Sequence, residues 1–127
     1  MRTGLLFLMA FVSILSCQKK TVARYTEIAG RWQRTETLID PGDGSGQFSP
    51  VSGADATVVE FKENGMLTAP GHWYLSRYNR FAVLSDTQLR LYTPANDSLT
   101  LTYSLASKLT INYQCIEACR DRFTKVD

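Results

Sequence analysis

Ser98-Leu99-Thr100-Leu101-Thr102-Tyr103-Ser104-Leu105 and, two residues on, Lys108-Leu109-Thr110-Ile111-Asn112-Tyr113-Gln114 are the stretch that decides the fold of this 127-residue chain. Successive side chains of an extended strand point to opposite faces. Leu99, Leu101, Tyr103 and Leu105 therefore share one face, and Thr100, Thr102 and Ser104 share the other. The second segment repeats the pattern, with Leu109, Ile111 and Tyr113 set against Lys108, Thr110, Asn112 and Gln114. One dry face, one wet face and a short connection predict an antiparallel sheet.

Working outward, Leu89 and Leu91 alternate with Gln88 and Arg90, and Val59 and Phe61 with Glu60 and Lys62. No stretch of 28–127 holds a helical period. Short runs rich in Val, Leu, Tyr, Phe and Thr stand between Gly, Pro, Asn and Asp clusters, and they predict strands near Gly30–Leu38, Ala56–Lys62, Met66–Ala69, His72–Leu75, Arg80–Leu84, Gln88–Tyr92, Ser98–Leu105, Lys108–Gln114 and Arg120–Val126. Asn64-Gly65 is a strong hairpin signal, and Ser85–Thr87 and Pro94–Asp97 are polar links of hairpin length. The fold class expected is all-β, an antiparallel up-and-down β-barrel of about eight strands, since closure removes the open edges that invite aggregation. The long loop Asp40–Asp55 is the exception to the short connections, and loops of that length are usually functional or mobile.

The N-terminus has a different character. Met1-Arg2 precedes Gly4–Leu15, twelve residues without charge. That run is too short to span a bilayer core, which takes about 20 apolar residues, and has the length of a signal-peptide hydrophobic region. Ile14-Leu15-Ser16-Cys17 resembles the cleavage box of bacterial lipoproteins. Residues 1–16 are thus expected to be a lipoprotein signal peptide, residue 17 the lipidated Cys17, and the polar segment 17–27 a tether to a domain over 28–127. Acylated Cys17 would hold the chain to a lipid bilayer. Lys19, Lys20 and Arg24 are either headgroup contacts or plain solvated linker residues. Gln18 is not the Asp that often retains lipoproteins at the inner membrane, so the expected location is the cell envelope, at the outer membrane on its periplasmic or surface face. The formal net charge is +2, and nearer +1 without Arg2, which argues against a nucleic-acid partner.

At Gly30-Arg31-Trp32 the chain resembles the lipocalin-like lipoproteins of Gram-negative bacteria. The same order continues with the acidic, Gly-rich loop Asp40–Gly46, then Phe61 before Asn64-Gly65, then Cys115-x-x-x-Cys119 and Arg122-Phe123-Thr124-Lys125-Val126. The resemblance covers about residues 28–126. It implies that Gly30 and Trp32 form the barrel base, that Trp32 plugs it, and that a basic side chain of the last strand covers the indole. Arg122 is taken for that role, with Lys125 the alternative.

Cys115 and Cys119 flank Ile116-Glu117-Ala118, and a hairpin there brings their Cβ atoms to about 4.5–5.5 Å, near the reach of a disulfide. Export to an oxidising compartment favours the bond. Metal binding would need more ligands than His72, the single histidine, supplies, and a redox pair usually shows Cys-x-x-Cys. Asp40, Asp43 and Ser45 suggest a calcium loop, but the twelfth position is Val51 rather than Glu, so a turn rich in positive-φ residues is the better reading.

Trp32, Arg34, Glu36 and Leu38 share parity. If Trp32 points inward so do Arg34 and Glu36, which then pair with each other or mark a polar cavity floor; an outward orientation beyond a bulge is the alternative. Trp73, with Tyr74, Tyr78 and Phe81, is placed at the open mouth or in the packed core. Arg34, Glu36, Trp73 and Tyr103 are the ligand-binding candidates. There is no nucleophile-elbow motif, phosphate-cradling glycine loop or metal set, so no catalytic residue, metal or cofactor is assigned. The expected function is binding of a small apolar molecule. An eight-stranded barrel has room for one such ligand or only for its own side chains. If Trp32, Phe61, Leu91, Leu101, Tyr103, Ile111 and Phe123 fill it, the alternative is a structural or protein-interaction module of the envelope.

Overall fold

The computed structural model describes residues 25–126. The expected signal segment, Cys17 and the tether up to residue 24 lie outside the described residues. A helical turn, Tyr25–Ile28, leads into β1 (Gly30–Ile39). The strands that follow are β2 (Ser49–Pro50), β3 (Val58–Phe61), β4 (Leu67–Thr68), β5 (Arg80–Val83), β6 (Gln88–Tyr92), β7 (Ser98–Leu105), β8 (Leu109–Asn112) and β9 (Cys119–Val126).

All ladders are antiparallel, in the order β4-β3-β1-β9-β8-β7-β6-β5, with β2 paired to β1 off this path. Apart from β2, and with β4 and β5 left as the two ends of the sheet, each strand pairs with the next in sequence and the last returns to the first. The two ends of the sheet meet through a bridge between Met66 and Arg80 and through the N–H groups of Leu67 and Phe81, which donate to the carbonyls of Asn79 and Gly65, both at 2.9 Å. The result is a nearly closed, eight-stranded up-and-down barrel, as the alternation predicts. Strand direction puts the Lys62–Gly65, Ser85–Thr87 and Ala106–Ser107 turns at one end, the base, together with Tyr25–Ile28. The loop after β1, the 69–79 connection, the Thr93–Asp97 turn and the 113–118 turn stand at the other end, the mouth.

Inward positions are packed. Trp32, Phe61, Leu91, Leu101, Tyr103, Ile111 and Phe123 are all buried. At the base the Trp32 indole N–H donates to the Ile28 carbonyl (2.8 Å), and Phe61 meets Phe81 edge-on at 5.0 Å. The base motif corrects one expectation. Lys125, not Arg122, lies over Trp32, its Nζ 5.5 Å from the ring centroid, while the Arg122 guanidinium stacks on Phe48 at 3.6 Å. Parity gives the reason: Lys125 pairs with Trp32 in the ladder and shares the inward side with Phe123, whereas Arg122 faces out. Gly30 has φ +124°, and a Cβ there would lie 3.0 Å from Lys125 Cε, so glycine serves both the backbone and the lysine stem that crosses it.

A second correction concerns Glu36. The β1–β9 register slips between Arg34 and Glu36, a bulge at Thr35. It lets the Thr35 carbonyl accept the Val51 N–H (3.0 Å) and recruits β2 to Glu36 and Thr37. Beyond it Glu36 turns outward, 2.8 Å from Lys108 Nζ and 3.8 Å from Arg122. A third concerns His72–Leu75, expected as a strand. His72 Nδ1 accepts the N–H groups of Tyr74 and Leu75, both at 3.1 Å, and a 3-10 turn Leu75–Arg77 follows. A side chain that captures backbone donors takes them away from any ladder.

Phe123 has no exposed surface. Phe123→Ala should therefore lower unfolding free energy by about 3–5 kcal/mol in a urea titration, while Ser104→Ala on the wet face changes it by less than about 0.5 kcal/mol.

Candidate functional site: a buried carboxylate at the barrel mouth

The inward side of β9 reads Cys119, Asp121, Phe123, so strand parity forces one carboxylate into the barrel. Asp121 has no exposed surface. Arg34 of β1 reaches it from the neighbouring strand, Nε to Oδ1 at 2.8 Å. The other oxygen serves the 69–79 connection, which folds over the mouth. His72 Nε2 lies 3.2 Å from Oδ2, and the Trp73 indole N–H donates to Oδ2 at 3.1 Å. His72 is itself buried, stacked on Phe123 at 5.7 Å, with Tyr113 Oη 3.4 Å from its Nε2. Trp73 packs edge-on against Tyr113 at 5.2 Å and Tyr74 lies 4.5 Å from the same ring, so the mouth is closed by aromatic side chains.

The electrostatics follow from these contacts. Burial alone would raise the Asp121 carboxyl, but hydrogen bonds from His72, Arg34 and Thr37 outweigh it and hold it at about 2. Burial pushes the Tyr113 phenol well above its ordinary value, and the Asp121 charge adds to that. Because His72 Nδ1 accepts two backbone N–H groups, its ring proton sits on Nε2 and is directed at Asp121. Both ring nitrogens are thereby committed within the fold. The cluster works as a latch: one β9 carboxylate, neutralised by Arg34, takes two donors from the segment that plugs the mouth.

Of the ligand candidates, Arg34 and Trp73 are brought together here. Glu36 is on the outer wall, and Tyr103 donates to the Ser85 carbonyl (2.9 Å) at the turn after β5, at the base end. His72, Asp121 and Tyr113 complete the cluster. The signal for Asp121 was its inward parity between Cys119 and Phe123; nothing in the spacing of His72 announced its role.

Two neighbouring features stiffen the mouth. Cys115 and Cys119 form the expected disulfide, with Cα atoms 6.0 Å apart, although Cys115 is exposed and Cys119 buried. In the loop after β1, Asp40 Oδ1 accepts the N–H groups of Gly42, Asp43 and Gly44, and Oδ2 that of Gly46. These bonds hold the Asp40 carboxyl below its usual range. The carboxylate thus organises its own loop, and the Asp40 N–H ties it to the Ala118 carbonyl at 2.9 Å. A Cβ at Gly46 would lie 2.9 Å from Asp40 Cα, so the loop admits no side chain there. Among the described residues no three His, Cys, Asp or Glu side chains converge as a metal set. Two open hollows, of about 610 and 340 Å³, lie at the base around Thr26, Glu63 and Asn64, away from the mouth cluster.

No family model matches the chain, and neither a curated protein nor a solved structure is found similar to it.

The lowered Asp121 value fixes a pH dependence. The folded carboxyl stays ionised down to about 2, whereas the unfolded chain protonates near its ordinary value of about 4. The stabilisation, about 2 kcal/mol, is therefore complete above about pH 4 and lost as pH falls through about 2. Circular dichroism of urea unfolding across that window should show the slope in the native protein and a weaker one in Asp121→Asn. The same substitution leaves Arg34 buried without its counter-charge, at a cost of about 3–5 kcal/mol, and should shift the Trp73 emission to the red as the plug loosens. Reducing the disulfide is milder, about 2 kcal/mol for so short a loop, read as a lower thermal midpoint with added thiol.

Proposed function

We propose that this protein is a lipid-anchored component of a bacterial cell envelope whose barrel is a filled scaffold and whose outer surface does the work. The observation that carries this reading is the packed interior. The inward aromatic and aliphatic residues occupy the lumen, Trp32 and Ile28 stop the base, and the latched 69–79 segment stops the mouth. A barrel of this size holds either its own side chains or one small guest, and here the side chains take the space. The envelope assignment rests on the sequence: the charge-free run Gly4–Leu15 ahead of Cys17, and Gln18 in place of an inner-membrane-retaining Asp. A disulfide between Cys115 and Cys119 fits an oxidising compartment and leaves Cys17 as the one cysteine available for acylation. The likeness to lipocalin-like lipoproteins is supported by Gly30 and Trp32 at the barrel base and by the basic cover of the indole, supplied by Lys125.

A small apolar ligand is the second reading. The half-exposed Trp73 favours it, because the mouth plug is tied to the wall through a single carboxylate and an apolar guest would enter by displacing it. Native mass spectrometry of the full chain, after exposure to a lipid extract of the producing cells, separates the two. The filled-barrel reading expects the bare protein mass; a retained small molecule, lost in Phe123→Ala or Trp73→Ala, overturns it. Separately, Cys17→Ser should move the protein from the membrane to the soluble fraction. A variant that stays membrane-bound with unchanged mass refutes the anchor.

A further inference from the structure

The bridge between Cys115 and Cys119 does little for the fold that the strands do not already do. The two cysteines are four residues apart, and closing so short a loop removes little freedom from the unfolded chain. The strands on either side are paired without it. β8 and β9 are laddered from Leu109 and Phe123 to Asn112 and Arg120, and the Tyr113 N–H then donates to the Cys119 carbonyl at 3.1 Å. On its other side β9 is held by β1 as far as Ile39 and Cys119.

The two sulfurs are placed unequally. Cys119 shares the inward side of β9 with Asp121 and Phe123 and is 4% exposed. Cys115 stands in the turn 114–118, whose residues are all exposed. A thiolate from outside meets Cys115 first and is kept from Cys119. Disulfides exposed in this way are the labile ones, open to thiol exchange.

What the bridge does hold is Tyr113. This residue ends the inward row of Leu109 and Ile111 and stands just before the bridged turn. Its ring is the wall on which the mouth plug rests. Trp73 meets it at 5.2 Å and Tyr74 at 4.5 Å, and its Oη lies 3.4 Å from His72 Nε2. Three consecutive plug residues therefore lean on one side chain, and the bridge clamps the backbone that follows it. With the bridge open, that backbone keeps the Tyr113 N–H bond to Cys119, the Gln114 amide bond to the Thr100 carbonyl and the Asp40 N–H bond to Ala118.

We infer that Cys115 Sγ is a thiol-exchange site for a dithiol reductant, and that reduction of the bridge releases the 69–79 plug. One thiolate of the dithiol attacks Cys115 Sγ. The bond to Cys119 breaks, and the electron pair leaves on Cys119 Sγ, which takes a proton from solvent. The second thiolate of the dithiol attacks the reductant's own sulfur in the mixed disulfide and expels Cys115 as a thiolate, protonated in turn. The reductant ends as its own disulfide, and two electrons and two protons have passed to the cysteines. The oxidised form of such a dithiol closes the bridge again. This holds whether or not the lumen carries a guest, because the plug rests on Tyr113 in either case.

The test uses the full chain in detergent micelles, with dithiothreitol as the dithiol and oxidised glutathione to trap the mixed disulfide as the bridge re-forms. Peptide mass mapping should place the glutathione adduct on Cys115. Dithiothreitol without denaturant should reduce the bridge and leave the far-ultraviolet circular dichroism unchanged. The Tyr74 and Leu75 amides, which donate to His72 Nδ1, should then exchange with deuterium at least about tenfold faster by NMR. The Lys62 amide, bonded to the Met66 carbonyl at the base, should keep its rate. Reoxidation should restore the slow rates, and Cys115→Ser/Cys119→Ser should show the fast ones with no response to dithiothreitol. A bridge that reduces only in urea, an adduct on Cys119, a barrel that unfolds on reduction, or plug amides that exchange alike in both states overturns the inference. None of these outcomes bears on the filled barrel, which native mass spectrometry decides by itself.

Discussion

A carboxylate with no exposed surface sits in the wall of this barrel, and the arrangement around the mouth is a response to it. Stripping Asp121 of water without compensation would drive it to take up a proton. Arg34 supplies the opposite charge from β1, and the mouth segment supplies N–H donors from His72 and Trp73. A buried ion pair of this kind adds little net stability over an apolar pair, because desolvation offsets most of the attraction. What it adds is direction. The 69–79 segment lies where two of its donors, His72 Nε2 and the Trp73 indole N–H, meet the same carboxylate oxygen. The Tyr113 and Tyr74 rings then pack into the position so defined.

The barrel was legible in the sequence because its strands keep their period. β5 to β9 fall close to where the alternation puts them, and the seven large inward residues named from parity are all buried. The failures at Glu36 and at His72–Leu75 share a cause: each lies where one residue breaks the period. An extra residue at Thr35 inverts everything after it on β1, which sends Glu36 outward although Trp32 and Arg34 face in. His72 diverts two backbone donors and turns an apolar run into a plug. The choice between Arg122 and Lys125 needed no structure, since parity with Phe123 separates them, and so does the inward place of Asp121. The pairing of Arg34 with Asp121 joins residues 34 and 121, and no local pattern carries it.

The two ends of the barrel are built differently. The base is an apolar stop in which an indole and an isoleucine close the hole and a lysine stem lies across a glycine. The mouth is a polar closure, with an ion pair inside and a disulfide and a carboxylate-centred loop around it. Apart from the indole hydrogen bond and the lysine over the ring, the apolar end is set by packing and would tolerate volume-conserving changes. The mouth depends on specific donors and acceptors, and substitutions there act on several elements at once.

The closing ladder of the barrel joins its first strand to its last, from Arg31 and Val126 to Ile39 and Cys119. Long-range pairing of this kind forms late and slowly, because the chain must be brought back on itself before the contact repays the lost freedom. Until the eight residues of β9 are free to pair, β1 has an open edge and Asp121 and Arg34 have not met. Closure of the barrel and burial of its charge are therefore a single event, and both wait on the last strand made.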